Sequence, residues 1–268
     1  MPRAFWKGAI NFGMVVIPVK MYTATKSERP NFHLLHKKDL NRIKQVLYCP
    51  GDDKYLERKD TVKGFEYTKG KYIVLKDSDF EKIPVKTKHT IDVVGFVESG
   101  EIDPIYFYDA HYLEPEEIGS RPYALFREVL ADTKRIGIAK AVFQRQEHLC
   151  CIRPNGKILI LHTLHYQHEI RDADKLNIKE SEINQKEKKM AESLINEMII
   201  EFKPEQYRDE YRVALERMIK EKLEGKEISV SEKHEEEAIP DLMEALRRSL
   251  ESRQNQEKKE KVGAGAER

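Results

Sequence analysis

WKGAINFGMVVIPVKMY, residues 6–22, sets two glycines, a proline and two lysines among aromatic and branched apolar side chains, and its periodicity decides the fold class. Up to Gly13 the even positions Trp6, Gly8, Ile10 and Phe12 share one face and Lys7, Ala9 and Asn11 the other, the alternation of a half-buried strand. After Gly13 the parity switches. Val15, Ile17, Val19 and Met21 now share a face with Lys20 and Tyr22 opposite, so Gly13 is expected to mark a bulge or bend. Pro18 has no N–H to donate and points to an edge or bulged position. Lys7 and Lys20 project away from the apolar face, and their purpose depends on the rest of the chain.

Strand-like runs recur at NFHLLHK, RIKQVLY, GFEYTKGKYIVL, HTIDVVGFVE, IYFYDAHYL, IGIAKAVFQ, EHLCCIR and KILILHTLHY. KKDLN, YTKGK and RPNGK read as hairpin connections, with Asn155-Gly156 the strongest two-residue turn signal. Many short strands with turn punctuation favour a barrel or sandwich, so the predicted class is α+β, mainly β. One helix interrupts them, with Ser120 as cap, Pro122 in the first turn and a stripe of Leu125, Phe126, Val129 and Leu130. From Asn184 the period becomes helical. Met190, Leu194, Ile195, Met198, Ile199 and Phe202 mark one helix, and Pro204 opens a second that runs through Tyr207, Tyr211, Leu215 and Met218 to Gly225. The expected organisation is a β core over 1–183, a helical arm docked over 184–226, and a charged linker, short helix and disordered tail over 227–268.

With 268 residues the chain can bury a real core. Three cysteines, Cys49, Cys150 and Cys151, make no even framework and suit a reducing cytoplasm; the adjacent pair is expected to divide between core and surface. No apolar run resembles a signal core or a membrane span, so a soluble cytoplasmic protein is expected. The net charge of +1 conceals a segregation: residues 1–90 hold nineteen Lys/Arg against ten Asp/Glu, and residues 91–120 hold none against eight. A basic N-terminal third suits an anionic partner.

Catalytic constellations are weak. His162, His165 and His168 have a spacing that could suggest metal ligands, but residues three apart on a strand face opposite sides. Asp77, Asp79 and Glu81 in DSDFEKIP could serve a metal-dependent nuclease or other hydrolase, yet they also suit a helix start, with Asp77 or Ser78 as cap and acids answering the dipole. No phosphate-binding glycine loop, nucleophile elbow or zinc-protease signature occurs. The basic residues are more informative: between residues 3 and 44 nine Lys/Arg face only Glu28 and Asp39, and KRIGIAKAVFQRQ and CIRPNGK add Arg135, Arg145 and Arg153. Such a set would neutralise phosphates without reading bases. Aromatic residues are not interleaved with it as a single-strand stacking platform requires, which favours duplex backbone over a single strand; a scaffold whose basic patches bind acidic proteins is the alternative from another class.

These motifs resemble the bacterial and archaeal Ku family, the DNA-end-binding proteins of non-homologous end joining. The resemblance runs from Phe5 to about Lys226 through WKGAINFGMVVIPVKMYTAT, NFHLLHKKDLNRIKQ, VKGFEYTKGKYIVLKDSDFE, GEIDPIYFYDAHYLEPE, ALFREVLADTKRIGIAKAVFQRQEHLCCIRPNGKILILHTLHY and FKPEQYRDEYRVALERMIKEK, in the family's order. It implies a Ku-type β-barrel core with an extended bridge, about residues 36–60, and C-terminal helices. It further implies a homodimer whose bridges ring double-stranded DNA ends, no catalytic activity, no cofactor, and recruitment of an ATP-dependent DNA ligase of the ligase D type near the nucleoid. Mapped onto this chain, the bridge places Lys37, Lys38, Arg42 and Lys44 close to DNA, and Lys7 and Lys20 are expected to point towards the duplex backbone. Cys49 stands alone where many relatives carry a CxxC-like element, so no metal is expected. The lysine-rich tail of some relatives is not expected after KKEKVGAGAER, so retention on DNA is expected to depend more on the ring itself.

Overall fold

The computed structural model describes residues 3–28, 30–83, 89–144, 146–225 and 242–252, and the chain divides into two compact units at Ala173/Asp174. In the first unit, β1 (Trp6–Phe12) and β2 (Val15–Thr23) lead into an excursion carrying β3 (Leu47–Cys49), β4 (Lys54–Leu56), β5 (Lys63–Thr68), β6 (Lys71–Leu75) and the short helix α1 (Asp77–Glu81). The chain then continues through β7 (Thr90–Glu98), β8 (Phe107–Pro115), helix α2 (Ser120–Asp132), β9 (Arg135–Phe143), β10 (Gln146–Asn155) and β11 (Ile158–Leu164). Seven strands close a barrel in the order β1-β2-β8-β11-β10-β9-β7, sealed by the parallel pairing of β7 with β1. Closure leaves no open edge for other chains to pair with.

The parity switch in the opening stretch is a hairpin, not a bulge: Phe12 stands opposite Val15, with Gly13 and Met14 as the turn and Gly13 at φ +56. A two-residue turn pairs positions three apart, so it flips parity as a bulge would, and the sequence pattern alone does not separate them. The turn between β10 and β11 lies one residue later than expected. Asn155 still pairs with Ile158, and Gly156, at φ +56, turns with Lys157. Pro18 sits just past the β2–β8 ladder, whose last pair is Val19 opposite Pro115, and its carbonyl accepts from Glu116 N at 2.9 Å. It nevertheless pairs with Ala9 inside the β1–β2 ladder, and β2 has a neighbour on each side, so Pro18 is at neither the edge nor the bulge expected; its missing N–H falls where the β2–β8 ladder has ended.

Inward residues of all seven strands form the core, with Ile10, Ile17, Val19, Met21, Ile91, Leu113, Ile152, Leu159 and Leu161 fully buried. Helix α2 plugs one end through Tyr123, Phe126 and Leu130, whereas Leu125 and Val129 of the expected stripe remain exposed. Gly119, not Ser120, is the N-cap, pressed against Pro18 where an added Cβ would lie 2.9 Å from the carbonyl oxygen. The Tyr123 hydroxyl donates to Leu113 O and accepts from Leu159 N, both at 2.6 Å, tying the plug to two strands. Tyr123→Phe strands both backbone groups in a dry site, and urea unfolding is expected to show a loss of about 2–3 kcal/mol. A change under about 0.5 kcal/mol would show the plug is held by packing alone.

Both members of the cysteine pair are buried, which corrects the expected division between core and surface. Cys150 points into the barrel, and Cys151 points outward into a second cluster with Ile136 and Leu164, flanked by Ile102 and Tyr106 of the chain leading into β8 and by Phe107 at its start. Burial raises both thiols, that of Cys151 to about 11, so neither is poised as a nucleophile.

The second unit holds α3 (Gln185–Glu197), α4 (Glu210–Leu223) and a helix over 242–252, α5. Asn184 caps α3 by accepting from Lys186 N, Asp209 caps α4 by accepting from Arg212 N, and Gly225 follows α4 at φ +71. Pro204 opens a single 3-10 turn and α4 begins only at Glu210, later than the sequence pattern suggests. No side chain of α3 or α4 is buried. The expected linker and tail fall almost entirely outside the described residues.

Candidate nucleic-acid interface

Between Thr23 and Thr90 the chain leaves the barrel as an arm. Its departure is pinned by Ala24 N to Ala110 O at 3.0 Å, and its return by Ala9 N to His89 O at 3.0 Å. The arm carries two separate two-stranded sheets, β3–β4 and β5–β6. β3 and β4 are three residues each, too short to bury a face against one another, and every residue of β5 is exposed. Phe32, Leu34, Val46, Tyr55, Val62 and Phe65 are all more than 60 % exposed. The exposed arm extends well beyond the stretch 36–60 assigned to the bridge.

Lys37 and Lys38 lie in the turn at 37–39, and Arg42 and Lys44 on the limb that runs back from it, all four exposed. Asp39 is the one acid among residues 32–45, and it is occupied within the turn: its Oδ1 accepts from Asn41 N at 3.1 Å and sits 2.7 Å from His36 Nδ1. The Asn41 amide, with His36 behind it, holds the Asp39 carboxyl below its ordinary range, so this acid braces the loop while the cations face solvent. Elsewhere on the arm several cations are neutralised locally, as Lys59 by Glu57 at 2.8 Å and Lys63 by Asp77 at 3.1 Å. Lys69 and Lys71, flanking Gly70 at the tip of the β5–β6 hairpin, are exposed basic residues that sequence reasoning passed over. The signal was YTKGK itself, where lysines bracket the turn glycine.

On the barrel, Lys7 and Lys20 are direct cross-strand partners on the outer face. Like charges opposite one another on a sheet repel, so an anion placed between them would relieve the pair. Lys20 also stands opposite Glu114 of β8, but the Tyr22 hydroxyl donates to the Glu114 carboxylate, which raises the phenol's pKa.

The remaining basic residues do not join them. Arg153 is on β10, across the closed strand order from β1 and β2, and its Nε donates to His162 Nε2 at 2.9 Å. That bond requires a neutral His162, whose pKa is lowered by burial first and by Arg153 next. Arg135 opposes Glu98 at the end of β7 away from the arm's root. Arg145 lies outside the described residues.

The residues suggestive of catalysis are dispersed. His162 serves Arg153, His165 Nδ1 sits 3.7 Å from Glu169, and His168 stacks on Tyr166. The DSDFE acids form the single turn α1, with Asp79, not Asp77 or Ser78, accepting from Lys76 N at 2.9 Å to cap it. Among the described residues no cluster of three or more His, Cys, Asp or Glu is arranged to hold a metal ion, and no helix is long and apolar enough to cross a membrane.

A family model described as the Ku70/Ku80 beta-barrel domain matches residues 11–192. The chain is 39% identical over 259 residues to a protein of Solibacter usitatus named "Non-homologous end joining protein Ku", covering 97% of each. A protein of the same name from Archaeoglobus fulgidus is 39% identical over 252 residues, covering 93% of this chain and 99% of the relative. Similarity of this extent reaches an archaeal as well as a bacterial protein and takes in the barrel and the arm together.

Proposed function

The chain belongs to the Ku family, and from that premise we propose that it binds double-stranded DNA ends without catalysis and without reading sequence, in non-homologous end joining. Two copies close a ring around the duplex through their arms, and the loaded ring recruits an ATP-dependent ligase of the ligase D type at the chromosome. The observation that supports this most directly is the arm: it combines the uncovered apolar side chains of β5 and β6 with exposed cations at residues 37–44. The apolar surface calls for a second copy, and the cations call for a polyanion. Lys37, Lys38, Arg42 and Lys44 are assigned to phosphate contacts there, and Lys7 with Lys20 to a phosphate on the barrel's outer face. Arg135, Arg145 and Arg153 are weaker members of the set, since the two that are described already face Glu98 and His162.

Salt dependence tests the assignment. Replacing Lys37 and Lys38 together with Ala is expected to weaken binding equally on unrelated sequences. It is also expected to lower the slope of log affinity against log salt by about 0.9 per lost phosphate contact, so by roughly four in a symmetric dimer. An unchanged slope removes these lysines from the interface. The same measurement on a Lys7→Ala, Lys20→Ala variant decides the barrel pair.

A further inference from the structure

Residues 32–45 fold back on themselves: Leu35 bridges Arg42, His36 N donates to Asn41 O at 2.8 Å, and Ile43 N donates to Leu34 O at 3.0 Å. The two limbs together line an open cavity of about 710 Å³, with Phe32, His33 and Leu34 from one limb and Arg42, Ile43 and Lys44 from the other. In the sequence Phe32 and Arg42 are ten positions apart, so these aromatic and basic groups do not look interleaved; the fold-back brings them to one cavity. Phe32 is 72% exposed, with its ring faces not consumed by packing.

We propose that this cavity takes an unpaired nucleotide from a single-stranded overhang at the DNA end, its base stacked on Phe32 and His33 and its phosphate held by Arg42 and Lys44. This rests on the end-binding reading and deepens it by naming the part of the end that is recognised. The volume falls within the range of small-ligand pockets, and an aromatic wall facing cations is the pairing that single strands use. A duplex interior does not fit, because paired bases hide the faces that a ring stacks on. A second copy seated here about a two-fold axis also fits poorly: it would set Lys37, Lys38, Arg42 and Lys44 against the same four cations, with Asp39 already engaged. Sequence tolerance is retained, since every base has a stacking face.

The test uses the full chain with a short duplex that is either blunt or extended by three nucleotides, one of them 2-aminopurine. The overhang is expected to bind about tenfold more tightly than the blunt end, and 2-aminopurine fluorescence is expected to fall on binding. Phe32→Ala is expected to bring overhang affinity down to the blunt value and abolish the quenching while blunt binding is unchanged, and Phe32→Trp to restore both. Equal affinity for the two ends with no quenching overturns the inference. So does a Phe32→Ala variant that weakens blunt and overhanging ends alike and loses dimer mass, because Phe32 would then be covered by a second copy. Failure of the native chain to bind blunt duplex counts against the end-binding reading instead, and the quenching still decides the inference by itself.

Discussion

Linear duplex is expected to retain this protein at moderate salt while covalently closed circles of the same sequence release it, by a margin of at least about a hundredfold. The reasoning separates two kinds of attachment. Phosphate contacts of the kind proposed for Lys37 and Lys38 carry no information about ends, and an interface held by six to ten such contacts loses roughly 10³–10⁵ in affinity between 50 and 200 mM salt. A closed ring adds a link that salt does not screen, because departure then requires travel to an end. Several dimers are accordingly expected on a long linear fragment as earlier arrivals slide inward. Blocking both ends after loading is expected to trap them through a high-salt wash. Equal affinity for linear and closed DNA across salt, with full release from end-blocked fragments, would leave a basic patch and no ring. Shortening of the linear substrate in magnesium or manganese would instead support a nuclease reading through Asp77, Asp79 and Glu81.

Much of the barrel was legible because its strands are half-buried, so inward and outward residues alternate: Ile10, Ile17, Val19 and Met21 announce their face directly. Where the outer face is also covered the pattern fails, as at Cys151, which a one-sided strand would expose but which the chain leading into β8 buries. Helix α2 was legible as a helix but not in its rotation. Three of the four residues in the expected stripe are aliphatic, and they concealed that Tyr123 turns inward, where its hydroxyl serves two strands that only closure brings near it. The basic character of the arm was plain in composition, and its reach was not. Runs such as GFEYTKGKYIVL read as ordinary hairpin strands whether or not a core lies beneath them, and here none does. The cavity between Phe32 and Arg42 was invisible for a related reason, since it exists only once Leu35 bridges Arg42.

The same uncovered hairpin carries the second large effect. Phe65 and Ile73 are cross-strand partners on β5 and β6, 61% and 52% exposed, and they touch no part of the barrel core. A two-stranded ribbon is marginal in water, and apolar pairs left on its surface are worth more buried against another copy than hydrated. The chain is therefore expected to be a dimer by light scattering at micromolar concentration, with an interface at or above the standard size of about 1,600 Å². Replacing both residues, Phe65→Glu and Ile73→Glu, places like charges opposite one another on the ribbon and four carboxylates in a two-fold contact. Monomers are expected, with retention on end-blocked DNA lost. The barrel's own unfolding should remain within about 0.5 kcal/mol of the native chain, since neither side chain contributes to its core. A native chain that is monomeric yet still held on end-blocked fragments would refute the arm-mediated ring. A double variant that stays dimeric would move the interface off β5 and β6.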